Sequence, residues 1–186
     1  HEARYYNWSA VGGGVLSSTT TADPTITITS GTTTQVALEV LYESTENLIP
    51  NGDFELGNTG FTSSYTYASN QSEYLSGARW GKYMITNTPT VFESAWTNCS
   101  NADGLYLIAD GSINANSDFY TVTVNGLSLN TDYALSFDVT QLITNTSDNA
   151  ILQFKVNGTA IGNPDTLAPQ TCQWKHYYTI VNSGNS

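Results

Sequence analysis

Asn47-Leu48-Ile49-Pro50-Asn51-Gly52-Asp53-Phe54-Glu55-Leu56-Gly57 is a short apolar run, a Pro-Asn-Gly turn, and two carboxylates on either side of one aromatic residue. The pattern marks the start of a domain. In strand geometry Asp53 and Glu55 point to one side and Phe54 to the other, so a ring enters a core while two oxygen ligands stay together. Further along, Tyr133, Leu135, Phe137 and Val139 alternate with Ala134, Ser136, Asp138 and Thr140, and Leu152, Phe154 and Val156 alternate with Gln153 and Lys155. Period-two alternation of this kind predicts sheets with one buried face. Asn157-Gly158 between apolar runs predicts a two-residue hairpin. Strands are expected near Phe61 to Tyr67, Tyr83 to Asn87, Leu105 to Asp110, Asp118 to Val124, Tyr133 to Leu142, Ala150 to Val156 and Gln173 to Val181. No segment sustains a helical period, so the expected class is all-β, an antiparallel β-sandwich.

The opening run resembles the start of a jelly-roll, carbohydrate-binding-module-like (galactose-binding-like) domain of secreted Bacteroidetes-type surface proteins, with its N-[LI]-[IV]-x-N-G-x-F-E-x-G pattern. Trp80-Gly81-Lys82-Tyr83-Met84-Ile85-Thr86-Asn87-Thr88-Pro89, Trp96 to Cys99, Asn157-Gly158 and Cys172-Gln173-Trp174 are similar to later segments of that group and follow in the same order. The resemblance covers roughly the last three-quarters of the chain. It implies a domain over residues 47–186, expected to lack its final strand or strands. Before it, Tyr5-Tyr6-Asn7-Trp8-Ser9, Leu16-Ser17-Ser18-Thr19-Thr20-Thr21-Ala22-Asp23-Pro24-Thr25 and Thr32-Thr33-Thr34-Gln35-Val36 look like the C-terminal part of a PKD-type or immunoglobulin-like repeat, which implies a partial β unit over residues 1–46. That segment is either trimmed or borrows strands from elsewhere.

Composition narrows the partners. The chain has 186 residues, with sixteen acidic against five basic side chains and a formal charge of −11. Such a charge opposes nucleic acid phosphates and anionic membrane surfaces. No apolar run reaches the roughly 20 residues that span a bilayer. Cys99 and Cys172 are too few for a cysteine zinc site without nearby histidines, which leaves a disulfide between them or two buried thiols. A disulfide would imply an oxidising, extracellular or cell-surface location.

Asp53 and Glu55 are candidate calcium ligands, Glu55 the better one by resemblance; the alternative is that both cap the turn and face water. Tyr65, Tyr67, Tyr74, Trp80 and Trp96 offer flat faces for sugar rings, and Arg79 and Lys82 offer donors to hydroxyls. The alternative for Trp80, Trp96 and Trp174 is core packing. Asp165-Thr166-Leu167 looks like a Bacteroidetes O-glycosylation pattern, placing a glycan on Thr166. His1 and His176 are the two histidines, and no pair of carboxylates stands out for hydrolysis. The expectation is therefore a non-catalytic adhesin or structural module that binds glycans or neighbouring copies. Two alternatives stand beside it: a subunit of an extracellular filament built by β-strand exchange with a donor strand, and an accessory carbohydrate-binding module of a polysaccharide-degrading enzyme.

Overall fold

The structure is a computed structural model that describes residues 4–42, 47–99, 104–114, 117–143, 149–167 and 171–184. The chain is all-β, with antiparallel pairing in most of its sheets, as the alternation predicts. It divides into two compact units. One comprises His1–Glu46, Leu127–Phe137 and His176–Ser186; the other comprises Asn47–Gly126 and Asp138–Lys175. The later boundaries interleave, because two segments remote in sequence group with the N-terminal one.

In the first unit, β1 (Arg4–Gly12) and β4 (Thr34–Tyr42) form an antiparallel ribbon whose register runs without a bulge from Arg4 opposite Tyr42 to Gly12 opposite Thr34. Between them lie the short β2 (Gly14–Leu16) and β3 (Ile26–Ile28), paired with each other. Tyr5, 3% exposed, anchors this unit. Its hydroxyl donates to Ser136 Oγ at 3.3 Å, and its ring lies 4.8 Å from that of Tyr178. Ser136 sits on β8 (Asp132–Val139) and Tyr178 on β11 (Lys175–Asn182), which pair in one sheet. The rings of Phe137 and Tyr177 stack at 5.3 Å. The C-terminal strand thus has a partner within the chain.

In the second unit, β5 (Thr66–Tyr67), β6 (Lys82–Thr86) and β7 (Tyr106–Asp110) form a three-stranded sheet with β6 central. The pairing of β5 with β6 is parallel and that of β6 with β7 antiparallel. Met84, fully buried, sits mid-sheet in a core with Ala68, Tyr74, Phe92, Tyr106 and Ile108. The hairpin at Asn157-Gly158 forms as predicted, joining β9 (Ile151–Val156) to β10 (Thr159–Thr166). Both turn residues have positive φ, 50° and 76°, the pairing a type I′ turn requires and Asn-Gly adopts at least cost.

Three local expectations are corrected. Asp53 to Glu55 is not a strand. The Asn51 amide donates to Gly57 O (2.9 Å) and Thr59 O (2.8 Å) while its oxygen accepts from Leu56 N (2.9 Å), which winds the segment into consecutive turns. Phe54 accordingly takes φ 61°, a left-handed conformation costly for a bulky residue. Its ring is half-buried, edge-on to Phe61 (5.8 Å) and Tyr120 (5.9 Å) in an aromatic cluster.

The expected strands Phe61 to Tyr67 and Asp118 to Val124 reduce to β5 and a single bridge, Thr62 opposite Thr121. Ser64 N donates to Asp118 O at 2.9 Å beside that bridge, but Ser63 Oγ accepts from Tyr65 N at 3.0 Å, so a side chain takes a backbone donor that a longer ladder would use. The second strand of the hairpin, β10, is irregular around Gly162 and Pro164. Its register shifts between Ile161 and Asp165, and the Gln153 side-chain amide donates to Ile161 O at 2.8 Å across the irregularity.

Candidate functional site

The residues singled out from the sequence part into two groups, one turned inward and one turned outward. Tyr74 and Lys82, expected at a ligand surface, lie instead in the body of the second unit. The five-residue helix α1 (Gln71–Leu75) begins at Asn70, whose side chain accepts from Glu73 N at 3.0 Å. Glu73 Oε2 reaches back to Ser69 N at 2.8 Å, a reciprocal closure of the first turn. These bonds from Ser69 hold the Glu73 carboxyl below its ordinary pKa.

So fixed, α1 turns Tyr74 inward. That residue is 2% exposed, its ring lies 5.2 Å from that of Trp96, and its hydroxyl donates to Asp110 Oδ2 at 2.7 Å. Burial first, and then the bond to Asp110, raise its pKa. Trp96 is half-buried against the same core, as is Trp174, which meets Tyr106 edge-on at 5.7 Å.

Lys82 is 8% exposed. Its ammonium donates to Glu73 O (2.6 Å), Tyr74 O (3.0 Å) and Ser76 O (2.5 Å) at the end of α1, where Glu73 O also accepts from Ser76 N at 3.4 Å. All three of its donors are used, so none remains for a sugar hydroxyl. Lys82→Met keeps the stem and removes the donor that the Tyr74 and Ser76 carbonyls share. The expected loss is about 1–3 kcal/mol of stability, read from urea unfolding; an unchanged midpoint would show that water replaces the ammonium.

Tyr65 is half-buried, and its hydroxyl accepts from Ser112 N at 2.9 Å. Outward-facing are Tyr67, Arg79 and Trp80. Tyr67, on β5, is 37% exposed, and its ring lies 5.3 Å from that of Tyr83 on β6. Burial of one side, and then the neighbouring Tyr83 and Glu73, raise its phenol pKa. Arg79 is exposed and paired with Glu93, an ion pair of small energetic weight. Trp80 is 54% exposed. The backbone beside it is pinned: Gly81 N donates to Asp110 O (2.8 Å) and Gly81 O accepts from Thr66 N (2.9 Å). An exposed indole therefore stands on a fixed base at the end of the three-stranded sheet.

Asp53 and Glu55 line a shallow groove of about 380 Å³ with Asn47, Ile49, Asn51, Gly52 and Leu56. Glu55 Oε1 accepts from Leu105 N at 2.6 Å, and Asp53 Oδ1 accepts from Glu55 N at 3.3 Å. Gly104, at φ 77°, makes room for that carboxylate: a Cβ there would meet Glu55 Oε1 at 1.9 Å. Calcium takes six to eight oxygen ligands. Among the described residues there is no group of three or more acidic, histidine or cysteine side chains fit to hold a metal. Both carboxylates are engaged by a backbone amide, and two carboxylates alone fall short of that ligand number.

Cys99 and Cys172 form a disulfide within the second unit. Thr166 is exposed on β10, next to Asp165, whose carboxylate pairs with Lys175 at 3.0 Å. His1 lies outside the described residues; His176 stands on β11 beside Tyr5. Among the described residues no helix is long and apolar enough to cross a membrane. Sequence reasoning missed Asn51 and Asp110 as organisers, since polar residues with several backbone partners carry no mark in one dimension. No protein-family model, curated protein or solved structure matches the chain.

Proposed function

We propose that this chain is a non-catalytic module of an extracellular, cell-surface adhesin, of the carbohydrate-binding-module-like kind with an immunoglobulin-like unit before it, and that it touches glycans through Trp80 and Tyr67. The observation that carries this reading is the exposed indole of Trp80. Trp96 and Trp174 pack against the core, whereas Trp80 leaves 54% of its surface to solvent on a backbone held by two hydrogen bonds. A flat apolar face with a polar edge suits the apolar face of a pyranose ring. Tyr67 supplies a second exposed ring in the same unit. The disulfide supports an oxidising compartment.

Screening the protein on a glycan array, and then Trp80→Ala on any glycan retained, tests the proposal. Wild-type protein is expected to bind a subset of glycans with Kd in the range of about 10⁻⁴–10⁻³ M, typical in energy of a few stacked contacts. Trp80→Ala loses that binding at an unchanged melting temperature. Absence of any wild-type hit, or binding that survives the substitution, rejects the aromatic contact.

A further inference from the structure

We propose that β4 is a self-association edge: two copies of this chain pair through β4 antiparallel about a two-fold axis at Leu38, forming a continuous β1–β4–β4–β1 sheet. The inference goes beyond the glycan reading and does not rest on it, since Trp80 and Tyr67 lie in the other unit.

Backbone polarity comes first. Trp8 N donates to Thr19 O at 2.8 Å, away from β4. Facing residues of an antiparallel pair exchange both hydrogen bonds or neither. Trp8 faces Leu38, so Leu38 also turns its N–H and C=O away from β1, and by alternation Val36 and Val40 do the same. Among the described residues these groups meet no backbone partner, and β4 pairs with β1 alone. On the far edge of β1 that bond engages Trp8 N, whereas along β4 the outward groups of Val36, Leu38 and Val40 have no such partner among the described residues.

Side chains come second. Val36, Leu38 and Val40 share one face of the ribbon with their β1 partners Ala10, Trp8 and Tyr6, opposite the face that carries buried Tyr5. Val36 is 45% and Leu38 42% exposed. Native edges are usually blunted by lysine, proline or a bulge. β10 shows such devices, with Gly162, Pro164 and a register shift. β4 has none over nine residues and carries one charge, Glu39, which Asn7 Nδ2 engages at 3.2 Å.

Register and charge then select a second copy as the occupant. Leu38 is the midpoint of Thr34–Tyr42, so a two-fold axis there uses the full strand. Leu38 faces its own copy and Val36 faces Val40 of the other, each pair exchanging both hydrogen bonds from groups already turned outward. Glu39 faces Ala37 of the other copy. A shift that centres the axis on Glu39 sets two carboxylates opposite each other, which is unfavourable. The strand is self-complementary in hydrogen bonds, apolar face and charge. The pairing is isologous, so it closes at a dimer and builds no fibre.

Sedimentation equilibrium of the whole chain over a wide concentration range is expected to show a monomer–dimer equilibrium. Leu38→Pro removes an N–H that faces outward and so breaks no bond to β1; it and Leu38→Lys are expected to abolish the dimer while circular dichroism and the Cys99–Cys172 bridge stay intact. Leu38→Cys, folded as wild type, is expected to cross-link to its own copy on oxidation, whereas Val36→Cys alone is not and Val36→Cys with Val40→Cys is; this arm stands even where the proline variant fails to fold. A monomer at every concentration, a dimer unaffected by Leu38→Lys, cross-linking through Val36→Cys alone, or open polymers would each overturn the proposal. None of these results bears on glycan binding.

Discussion

Cys172→Ser protein is expected to unfold with a free energy about 4 kcal/mol below that of the native chain, the chain-entropy value for a closed loop of this length. The bridge to Cys99 spans 73 residues of sequence, and its loss frees the unfolded chain to sample far more conformations. It also ties the segment holding Trp174, which packs on Tyr106, to the segment holding Trp96, which packs on Tyr74. Both tryptophans flank the same core, so loosening them adds an enthalpic cost in the same direction. Denaturant unfolding of the serine variant, and of native protein with and without reductant, measures the effect. Coincident curves for oxidised and reduced protein would show that core packing holds these segments without the bridge.

The second large effect is at Tyr74. Tyr74→Ala deletes a side chain that is 2% exposed, and truncating a buried aromatic costs about 3–5 kcal/mol. Tyr74→Phe keeps the ring but leaves the Asp110 carboxylate without the donor it has at 2.7 Å, an expected loss of about 1–3 kcal/mol. The two variants separate packing from the hydrogen bond. The same phenol gives a pH signature. Burial and the bond to Asp110 hold its pKa above the ordinary 10.0 in the folded state, and burial raises Tyr106 and Tyr120 as well. A group with a raised folded pKa stabilises the protein fully below the unfolded value and loses that contribution as pH rises through the folded one. Stability should therefore fall above about pH 10, and less steeply in Tyr74→Phe. Equal alkaline slopes for the two proteins would show that Tyr74 does not titrate with unfolding.

Tyr74 also shows why the site was only partly legible in the sequence. Tyr74, Trp80 and Trp96 are alike as letters, and a loop-rich stretch gives no period that tells inside from outside. What separates them is the reciprocal cap of α1 by Asn70 and Glu73, which turns Tyr74 to the core. Lys82 reads as a surface donor until the carbonyls of residues 73, 74 and 76 are seen to converge on it.

The sequence by itself determined the class of the fold and the Asn157-Gly158 hairpin. These follow from period-two alternation and from the backbone preferences of Asn and Gly, both of them local signals. Only the tertiary structure decided that Leu127–Phe137 and His176–Ser186 join the N-terminal segment, that Phe54 meets Phe61 and Tyr120 from a turn, and that the β4 edge lies open. Each of these is a pairing between residues far apart in the chain, and a hydrogen-bonding group or an apolar face leaves no trace in sequence of the partner it will find.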